Sequence, residues 1–225
     1  MGVYNSESFE QNRGNVIQQE NSLFERVKAG DQGLCLNLGC GTRILEGFVN
    51  VDKYSKADGI QNYDIFKLPY ESEVDVIFCA HVIEHLPIRH ARMALQEWGR
   101  VMKDGGKVYL GIPDLETIMY RLLDRTLDDK SREWLMYVLF GFQTNPGNRG
   151  DDLDYPVDPG QFHTCGFTQE SIRKELEDVG FECKEILNYD GWGTPSIWVV
   201  AERKRTVSLS PIVPISEGLV QLDSL

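Results

Sequence analysis

The chain has 225 residues, of which 41% are hydrophobic and 10% aromatic, a composition typical of one globular domain. Its formal net charge of −12 argues against a nucleic-acid partner, because phosphates are bound by Lys and Arg. No apolar run reaches the roughly 20 residues of a membrane span, so we expect no membrane partner. The five cysteines are scattered without CxxC spacing, which predicts a reducing, cytoplasmic setting and neither a disulfide framework nor a cysteine zinc site.

Three regions are predicted from changes in polarity and in hydrophobic periodicity along the chain. Residues 1–30 are polar and weakly patterned, and we interpret them as an N-terminal extension. Residues 31–205 carry the strand and helix patterns of a single domain. Residues 206–225 have no period and are interpreted as a C-terminal tail.

The first half of the domain alternates short apolar runs with turns. LCLNLG, from Leu34, is typical of a buried strand, and further strands are predicted at 48–51, before Asp64 and at 74–79. A helix is predicted over 88–102, because its apolar residues recur at spacings of three and four. KDGG at 103–106 predicts the end of that helix and a tight turn before a strand at 107–112.

The second half of the domain begins with a helical pattern over 115–142 and a long loop over 143–161, rich in Gly, Pro, Asn and Asp. Thr168 is a candidate N-cap for a helix that Gly180 ends. Residues 183–187 and 197–201 predict an antiparallel hairpin. The alternation of strands and helices indicates an α/β fold: a Rossmann-like, doubly wound, mostly parallel seven-stranded sheet with an antiparallel C-terminal hairpin.

The strongest functional signal is the segment LNLGCGT, in which Gly39 and Gly41 directly follow the first predicted strand. Glycines at this place let the backbone turn sharply and approach a ligand without a Cβ in the way. The second predicted strand is followed by Asp52, and an acid there accepts hydrogen bonds from ribose hydroxyls in this topology. The two signals together predict a nucleoside-binding site.

Several motifs occur in the order found in one family of enzymes. LNLGCGTRILEGFVNVD is followed by LPY, VDVIFCAHVIEHL, LQEWGRVMKDGGKVYLGIPD and FHTCGFTQESIRKELEDVGF. In these motifs the chain resembles the class I S-adenosylmethionine-dependent methyltransferases, and within them the small bacterial and phage enzymes of the type 11-like group. The resemblance covers roughly residues 34–202.

The resemblance implies S-adenosylmethionine as the cofactor and assigns residues of this chain to it. The implied cofactor-binding residues are Asn37, Gly39, Cys40, Gly41, Asp52, Lys53, Asp64, Ile65 and His81. Asp52 would take the ribose hydroxyls, Asp64 the adenine amine and Ile65 the adenine face. His81 would lie near the methionine moiety.

Two residues depart from the family pattern. Asn37 stands where Asp or Glu is most common, and Arg43 replaces the third glycine of the loop. Asn can still hydrogen-bond an ammonium group, but it adds no charge. The dinucleotide dehydrogenases use the same glycine turn, but this chain lacks their third glycine and has no room for their helix before Asp52.

A base for the acceptor proton would come from a titratable residue near the strand ends or after the long loop. The candidates are His81, Glu84, His85, Asp114 and His163. We assign the catalytic role to His81 and His163. For Glu84 and His85, which begin a turn, a structural role is an alternative interpretation. Asp114 precedes a predicted helix and could equally be its N-cap. No metal site is predicted.

We therefore expect methyl transfer to a small-molecule or glycan acceptor. The predicted helix and loop within residues 114–163 would cover the bound acceptor. The alternative is a non-catalytic nucleoside-binding or protein-interaction module on the same fold, because a fold does not determine a function. A homodimer formed through the long loop or the tail is a third hypothesis.

Overall fold

A computed structural model of the protein describes residues 33–141, 159–191 and 194–205. The predicted extension at 1–30, the predicted tail at 206–225 and most of the predicted loop at 143–161 lie outside the described residues. None of the helices in the described part of the chain is long and apolar enough to cross a membrane.

Seven strands of the described residues form one sheet in the order β3-β2-β1-β4-β5-β7-β6. The strands are β1 (Leu34–Leu38), β2 (Val49–Val51), β3 (Ile60–Gln61), β4 (Val74–Ala80), β5 (Met102–Pro113), β6 (Phe181–Gly191) and β7 (Thr194–Arg203). The first five strands pair in parallel, whereas β7 is antiparallel to both β5 and β6. This topology confirms the predicted fold, a mostly parallel seven-stranded sheet with an antiparallel C-terminal hairpin.

The described helices connect and cover these strands. The α-helices are α1 (Ile88–Val101), α2 (Leu115–Leu123), α3 (Asp129–Phe140) and α4 (Gln169–Asp178), and short 3₁₀ helices cover Ile83–His85 and Pro159–Gln161. α1 buries the apolar stripe that its sequence predicts, including Ala91, Leu95 and Trp98. These residues share the main hydrophobic core with Ile172 and Leu176 of α4 and with apolar residues of the strands.

The prediction of one helix over 115–142 is wrong, because α2 and α3 are separated by residues 124–128. Asp124 Oδ1 accepts a hydrogen bond from the Thr126 amide at 2.8 Å, and Asp128 Oδ1 accepts one from the Ser131 amide at 2.9 Å. Such local side-chain bonds compete with the helical backbone, and the second one caps the start of α3.

Two strand boundaries also differ from the prediction. β5 begins at Met102, ahead of the predicted turn, since Val74 pairs with Met102 and Val76 pairs with Lys107. Residues 103–106 therefore form a bulge within the strand, where Gly105 has a φ of 82°. The C-terminal hairpin is longer than predicted, because β6 and β7 have 11 and 10 residues.

Candidate functional site

The carboxyl ends of β1, β2 and β4 meet at one edge of the sheet. The strand order reverses between β1 and β4, and such a switch point forms the ligand crevice of open α/β sheets. Gly39 follows β1, Asp52 follows β2 and His81 follows β4, so three predicted site residues reach this crevice from adjacent strands. The Cys40 amide donates to the Val51 carbonyl at 3.1 Å, which ties the turn after β1 to the end of β2.

The turn after β1 has a backbone conformation that L side chains rarely adopt. Gly39 and Gly41 have φ angles of 65° and 56°. A Cβ on Gly39 would lie 2.3 Å from a methyl carbon of Val82, whereas a Cβ on Gly41 would meet none of the described atoms within 4 Å. The turn is therefore packed against the segment after β4 at Gly39 and is open at Gly41, where a ligand can approach the backbone.

Asp52 organises the open side of this turn. Its Oδ2 accepts from the Gly41 amide at 2.9 Å, and its Oδ1 accepts from the amides of Tyr54 at 2.9 Å and Ser55 at 2.8 Å. A carboxylate offers about four acceptor positions, so one remains for a further donor beside the turn. Burial and, secondly, the charge of Asp52 raise the pKa of the Cys40 thiol, so this side chain stays neutral.

Lys53 and Asp64 join the end of β2 to the segment after β3. Lys53 Nζ lies 2.7 Å from Asp64 Oδ2, and the Phe66 amide donates to Asp64 Oδ1 at 3.1 Å. The hydrogen bond from Lys53 holds the pKa of the Asp64 carboxyl below its usual value, and the same bond raises the pKa of Lys53. Ile65, next to this pair, is partly buried against the main core. Asp64 is therefore a charged acceptor at neutral pH.

Asn37 is buried, and its amide group holds the loop between β1 and β2. Its Nδ2 donates to the Arg43 carbonyl at 2.9 Å and to Oδ1 of Asn50 at 2.8 Å. Asn50 Oδ1 also accepts from the Leu45 amide at 2.8 Å, so the two asparagines fix the path of the loop together. Both Nδ2 protons of Asn37 are used there, and a contact with a cofactor would fall to its Oδ1 atom.

His81 follows β4 in a conformation that is rare for a residue with a side chain. Its φ is 55°, and its amide donates to the Gly111 carbonyl of the neighbouring strand at 2.8 Å. Its ring Nδ1 lies 3.2 Å from Oε1 of Glu84. Because a carboxylate only accepts hydrogen bonds, the neutral ring carries its proton on Nδ1 and its lone pair on Nε2.

Glu84 belongs to the 3₁₀ helix Ile83–His85, and its residue is only 1% exposed. Burial by itself raises the pKa of its carboxyl, but the hydrogen bond with His81 and the nearby rings of His85 and His163 outweigh burial and lower the pKa. Its Oε2 atom is buried and has no hydrogen-bond partner within the described ranges. A buried carboxylate oxygen of this kind is an acceptor that the described residues leave unsatisfied.

His85 and His163 lie beside this carboxylate, although they are far apart in the chain. Their ring centroids are 4.7 Å apart, and the ring planes cross at 76°. His85 Nδ1 donates to the Phe162 carbonyl at 3.1 Å, and the His163 amide donates to the Phe140 carbonyl at 3.0 Å. Burial is the largest effect on the pKa of His163 and lowers it, so the imidazole is neutral at pH 7.

A cavity of about 150 Å³ is lined by α2, α3 and the segment at 163–166. Most of its walls are apolar and come from Pro113, Leu115, Ile118, Val138, Leu139 and Phe140. Its polar lining includes Glu84, His163 and Cys165. Burial chiefly raises the pKa of the Cys165 thiol to about 12, and its Sγ lies 3.5 Å from the Ile83 carbonyl, so this thiol is a neutral donor.

The structure brings the predicted residues into two neighbouring groups. The glycine turn, Asp52 and the Lys53–Asp64 pair form one, and His81 joins Glu84, His85 and His163 in the other. Val82 links the groups through its contact with the turn. The sequence analysis did not foresee that Glu84 and His85 meet His163; the available signal was the HVIEH spacing directly after a buried strand.

Asp114 lies outside both groups and serves its own helix. Its Oδ2 accepts from the Thr117 hydroxyl at 2.6 Å, and its Oδ1 accepts from the Thr117 amide at 3.4 Å. These bonds make Asp114 the N-cap of α2, the structural alternative that its position before a helix indicated.

Comparison with known proteins connects this chain to one class of enzymes. A family model described as a methyltransferase domain matches residues 10–186. No curated protein matches the chain significantly.

Solved structures of low sequence identity share the fold. Magnesium protoporphyrin IX methyltransferase from Synechocystis PCC 6803, with bound S-adenosylhomocysteine, has a TM-score of 0.56 at 16% identity, covering 91% of this chain and 90% of its own. A methyltransferase from Haloferax volcanii, in complex with the Trm112 activator, has a TM-score of 0.54 at 13% identity, covering 89% of this chain and 95% of its own. The 1,6-didemethyltoxoflavin-N1-methyltransferase of Burkholderia thailandensis has a TM-score of 0.52 at 10% identity, covering 91% of this chain and 93% of its own.

Proposed function

Because the chain belongs to the family of methyltransferase domains, we propose that it transfers a methyl group to a small-molecule or glycan acceptor bound beside the glycine turn. Membership of this family confirms the predicted enzyme class, a methyltransferase with S-adenosylmethionine as its cofactor. The observation that carries the proposal is the convergence of Gly41, Asp52 and His81 at the switch point of the sheet.

The residues around the turn fit S-adenosylmethionine. The open side of Gly41 gives access to the backbone, and Asp52 has an acceptor position left for a ribose hydroxyl. The charged Asp64 can accept a hydrogen bond from the amine of adenine. Ile65 offers an apolar surface for the face of the adenine ring. We assign the rest of the cofactor contacts to Asn37, Gly39, Cys40, Lys53 and His81. When bound, the cofactor supplies a methyl group on a sulfonium leaving group.

The chain itself must align the acceptor and, for a hydroxyl or an amine, remove a proton. We assign proton removal to His81, because its bond to Glu84 leaves the lone pair on Nε2. Glu84 is a positioning residue that acts through His81, and its charge stabilises the imidazolium that forms. His163, whose partial burial lowers the pKa of its imidazole, is the second residue that we expect to contact the acceptor.

The cavity beside His163 favours a small molecule as the acceptor. A protein cavity of about 150 Å³ takes up a ring of the size of benzene. Its mostly apolar walls suit a flat or aliphatic group, whereas the hydroxyls of a sugar would need hydrogen-bond partners there. We therefore expect an acceptor with an apolar body and one nucleophilic oxygen or nitrogen.

Calorimetric titration with S-adenosylmethionine and S-adenosylhomocysteine tests the cofactor site. We expect micromolar binding by the wild type and a loss of about 10- to 150-fold in Asp52→Ala, since a hydrogen bond to a charged group contributes about 1.5–3 kcal/mol. Asp104→Ala is the matched control. Asp104 is an exposed residue of the bulge near the start of β5, at the amino ends of the parallel strands, whereas the glycine turn lies at their carboxyl ends. Unchanged affinity in a folded Asp52→Ala would contradict the assignment.

Release of S-adenosylhomocysteine in the presence of a broad acceptor panel tests the reaction itself. With a working acceptor and saturating cofactor, we expect His81→Gln to lower kcat by about 10²- to 10⁴-fold, as loss of a general base does. His90→Gln is the control, because His90 is an exposed histidine of α1. Cofactor binding without transfer to any acceptor would favour the non-catalytic module instead.

A further inference from the structure

We propose that Glu84, His85 and His163 form a binding site for a divalent first-row transition-metal ion. Each side chain offers one donor atom, and these atoms all lie within 4.8 Å of one another. Two imidazoles and one carboxylate are a donor set that binds ions such as Zn²⁺ and Mn²⁺ and leaves coordination positions open. Ion binding follows from this side-chain cluster alone and does not depend on methyl transfer.

The separations of the donor atoms are compatible with one ion. Donors bound at about 2.1 Å in a tetrahedral site lie about 3.4 Å apart, so the widest pair would close by about 1.4 Å at most. Glu84 and His85 belong to a single 3₁₀ turn, and His163 follows another. Small side-chain rotations on such short elements bring the three atoms to bonding distance.

The second nitrogen of the His85 imidazole is already held by a backbone carbonyl. His85 Nδ1 donates to the Phe162 carbonyl at 3.1 Å. A carbonyl fixes the proton on the nitrogen that it contacts, so the other nitrogen keeps its lone pair. This is the outer-shell arrangement that orients histidines toward metal ions.

The third donor is a carboxylate with an unsatisfied oxygen. Glu84 is 1% exposed, its Oε1 bonds to His81, and its Oε2 has no hydrogen-bond partner in the described part of the chain. A divalent ion bound to this oxygen would compensate both the buried charge and the missing partner. One carboxylate then serves two roles, since it positions His81 through one oxygen and binds the ion through the other.

The neighbouring sulfur does not belong to the donor set. Sγ of Cys165 lies 3.5 Å from the Ile83 carbonyl, and it is not among the donor atoms that lie within 4.8 Å of one another. The site is therefore a nitrogen and oxygen site rather than a thiolate site. Glu84 and His163 also line the apolar cavity, so open coordination positions would face the place where we put the acceptor. An acceptor oxygen bound to the ion there would have a lowered pKa, a consequence that rests on the proposed function.

Calorimetric titration of the full chain, after treatment with a chelator, tests the site with Zn²⁺ and with Mn²⁺ in separate experiments. Neither cofactor nor acceptor is added, so the outcome is independent of methyl transfer. We expect binding of one ion per chain by at least one of the two metals. Lack of stoichiometric binding by both metals would overturn the proposal.

Variants separate this site from adventitious surface binding. We expect His163→Gln and Glu84→Gln to weaken the affinity by at least about tenfold, and His90→Gln, an exposed histidine outside the cluster, to leave it unchanged. If Glu84→Gln does not fold, the visible absorption of bound Co²⁺ gives a second test. The proposal is supported if the wild type shows the Co²⁺ absorption bands of a site with imidazole ligands and His163→Gln does not. It is overturned if His163→Gln has the same spectrum or the same metal affinity as the wild type.

Discussion

Replacement of Gly39 by alanine tests how the turn after β1 is held in place. The new Cβ would lie 2.3 Å and 2.9 Å from the two methyl carbons of Val82. The φ of 65° adds a separate penalty of roughly 1–2 kcal/mol, because an L residue in the left-handed region is disfavoured. Gly41→Ala is the matched variant, since its φ of 56° is similar and its Cβ would meet no atom of the described residues within 4 Å.

The contact with Val82 decides the difference between the two variants. Overpacking of this kind destabilises a protein by about 1–3 kcal/mol. We therefore expect Gly41→Ala to lower the free energy of unfolding by about 1–2 kcal/mol, and Gly39→Ala to lower it by about 2–5 kcal/mol. In a chain of this size 1 kcal/mol corresponds to about 2–4 °C, so the two Tm values should differ by roughly 2–12 °C.

Urea unfolding followed by tryptophan fluorescence measures these free energies, and a double-mutant cycle with Val82→Ala isolates the contact. Removal of the Val82 methyl groups should recover most of the overpacking in Gly39→Ala, with a coupling energy of about 1–3 kcal/mol. Equal destabilisation by Gly39→Ala and Gly41→Ala, or no recovery in the double variant, would refute the reasoning that Val82 packs the turn against the segment after β4.

Three further changes test other parts of the structure. Burial raises the pKa of Asp75, but its hydrogen bonds with Lys103 and the Leu34 amide outweigh burial and lower it. The stability that Asp75 contributes is present above its unfolded pKa of about 4 and is lost as the pH falls through its folded pKa. Asp75→Asn should therefore reduce the dependence of the free energy of unfolding on pH at acid pH, measured by urea unfolding. An unchanged pH dependence would count against this. Thr168→Ala removes the α4 N-cap, whose hydroxyl accepts from an amide at 3.1 Å, and should cost about 1 kcal/mol in thermal unfolding, whereas Thr168→Ser should retain most of it. Trp98→Ala empties a fully buried position of α1 and should cost about 3–5 kcal/mol by circular dichroism, a loss below 1 kcal/mol being incompatible with its place in the core.

Sequence alone was sufficient where structure depends on neighbours along the chain. The glycines after β1 and Asp52 after β2 were predicted from turn chemistry and strand patterns, and α1 was predicted to within one residue from its apolar period. The mostly parallel sheet with its antiparallel C-terminal hairpin was predicted from the same local signals together with the rules for parallel connections. These features are encoded within windows of about ten residues, so a single sequence contains the information needed to find them.

Contacts within the tertiary structure changed the interpretation of individual side chains. The sequence predicts Asn37 as a cofactor ligand, but only the structure shows its Nδ2 committed to Arg43 and Asn50. Similarly, two aspartates that look like ordinary surface residues of a long helix divide it into α2 and α3. A polar side chain chooses among several partners of similar strength, and packing decides which partner is within reach.

The meeting of Glu84, His85 and His163 was decided only by the tertiary structure. His163 is distant in sequence and reaches the pair because residues 162–165 bond back to the end of α3 and to the 3₁₀ turn after β4. No periodicity or local motif encodes such a contact, since it depends on how separate elements pack. The sequence therefore determined the fold and the glycine turn after β1, and long-range packing determined which titratable groups share one cluster.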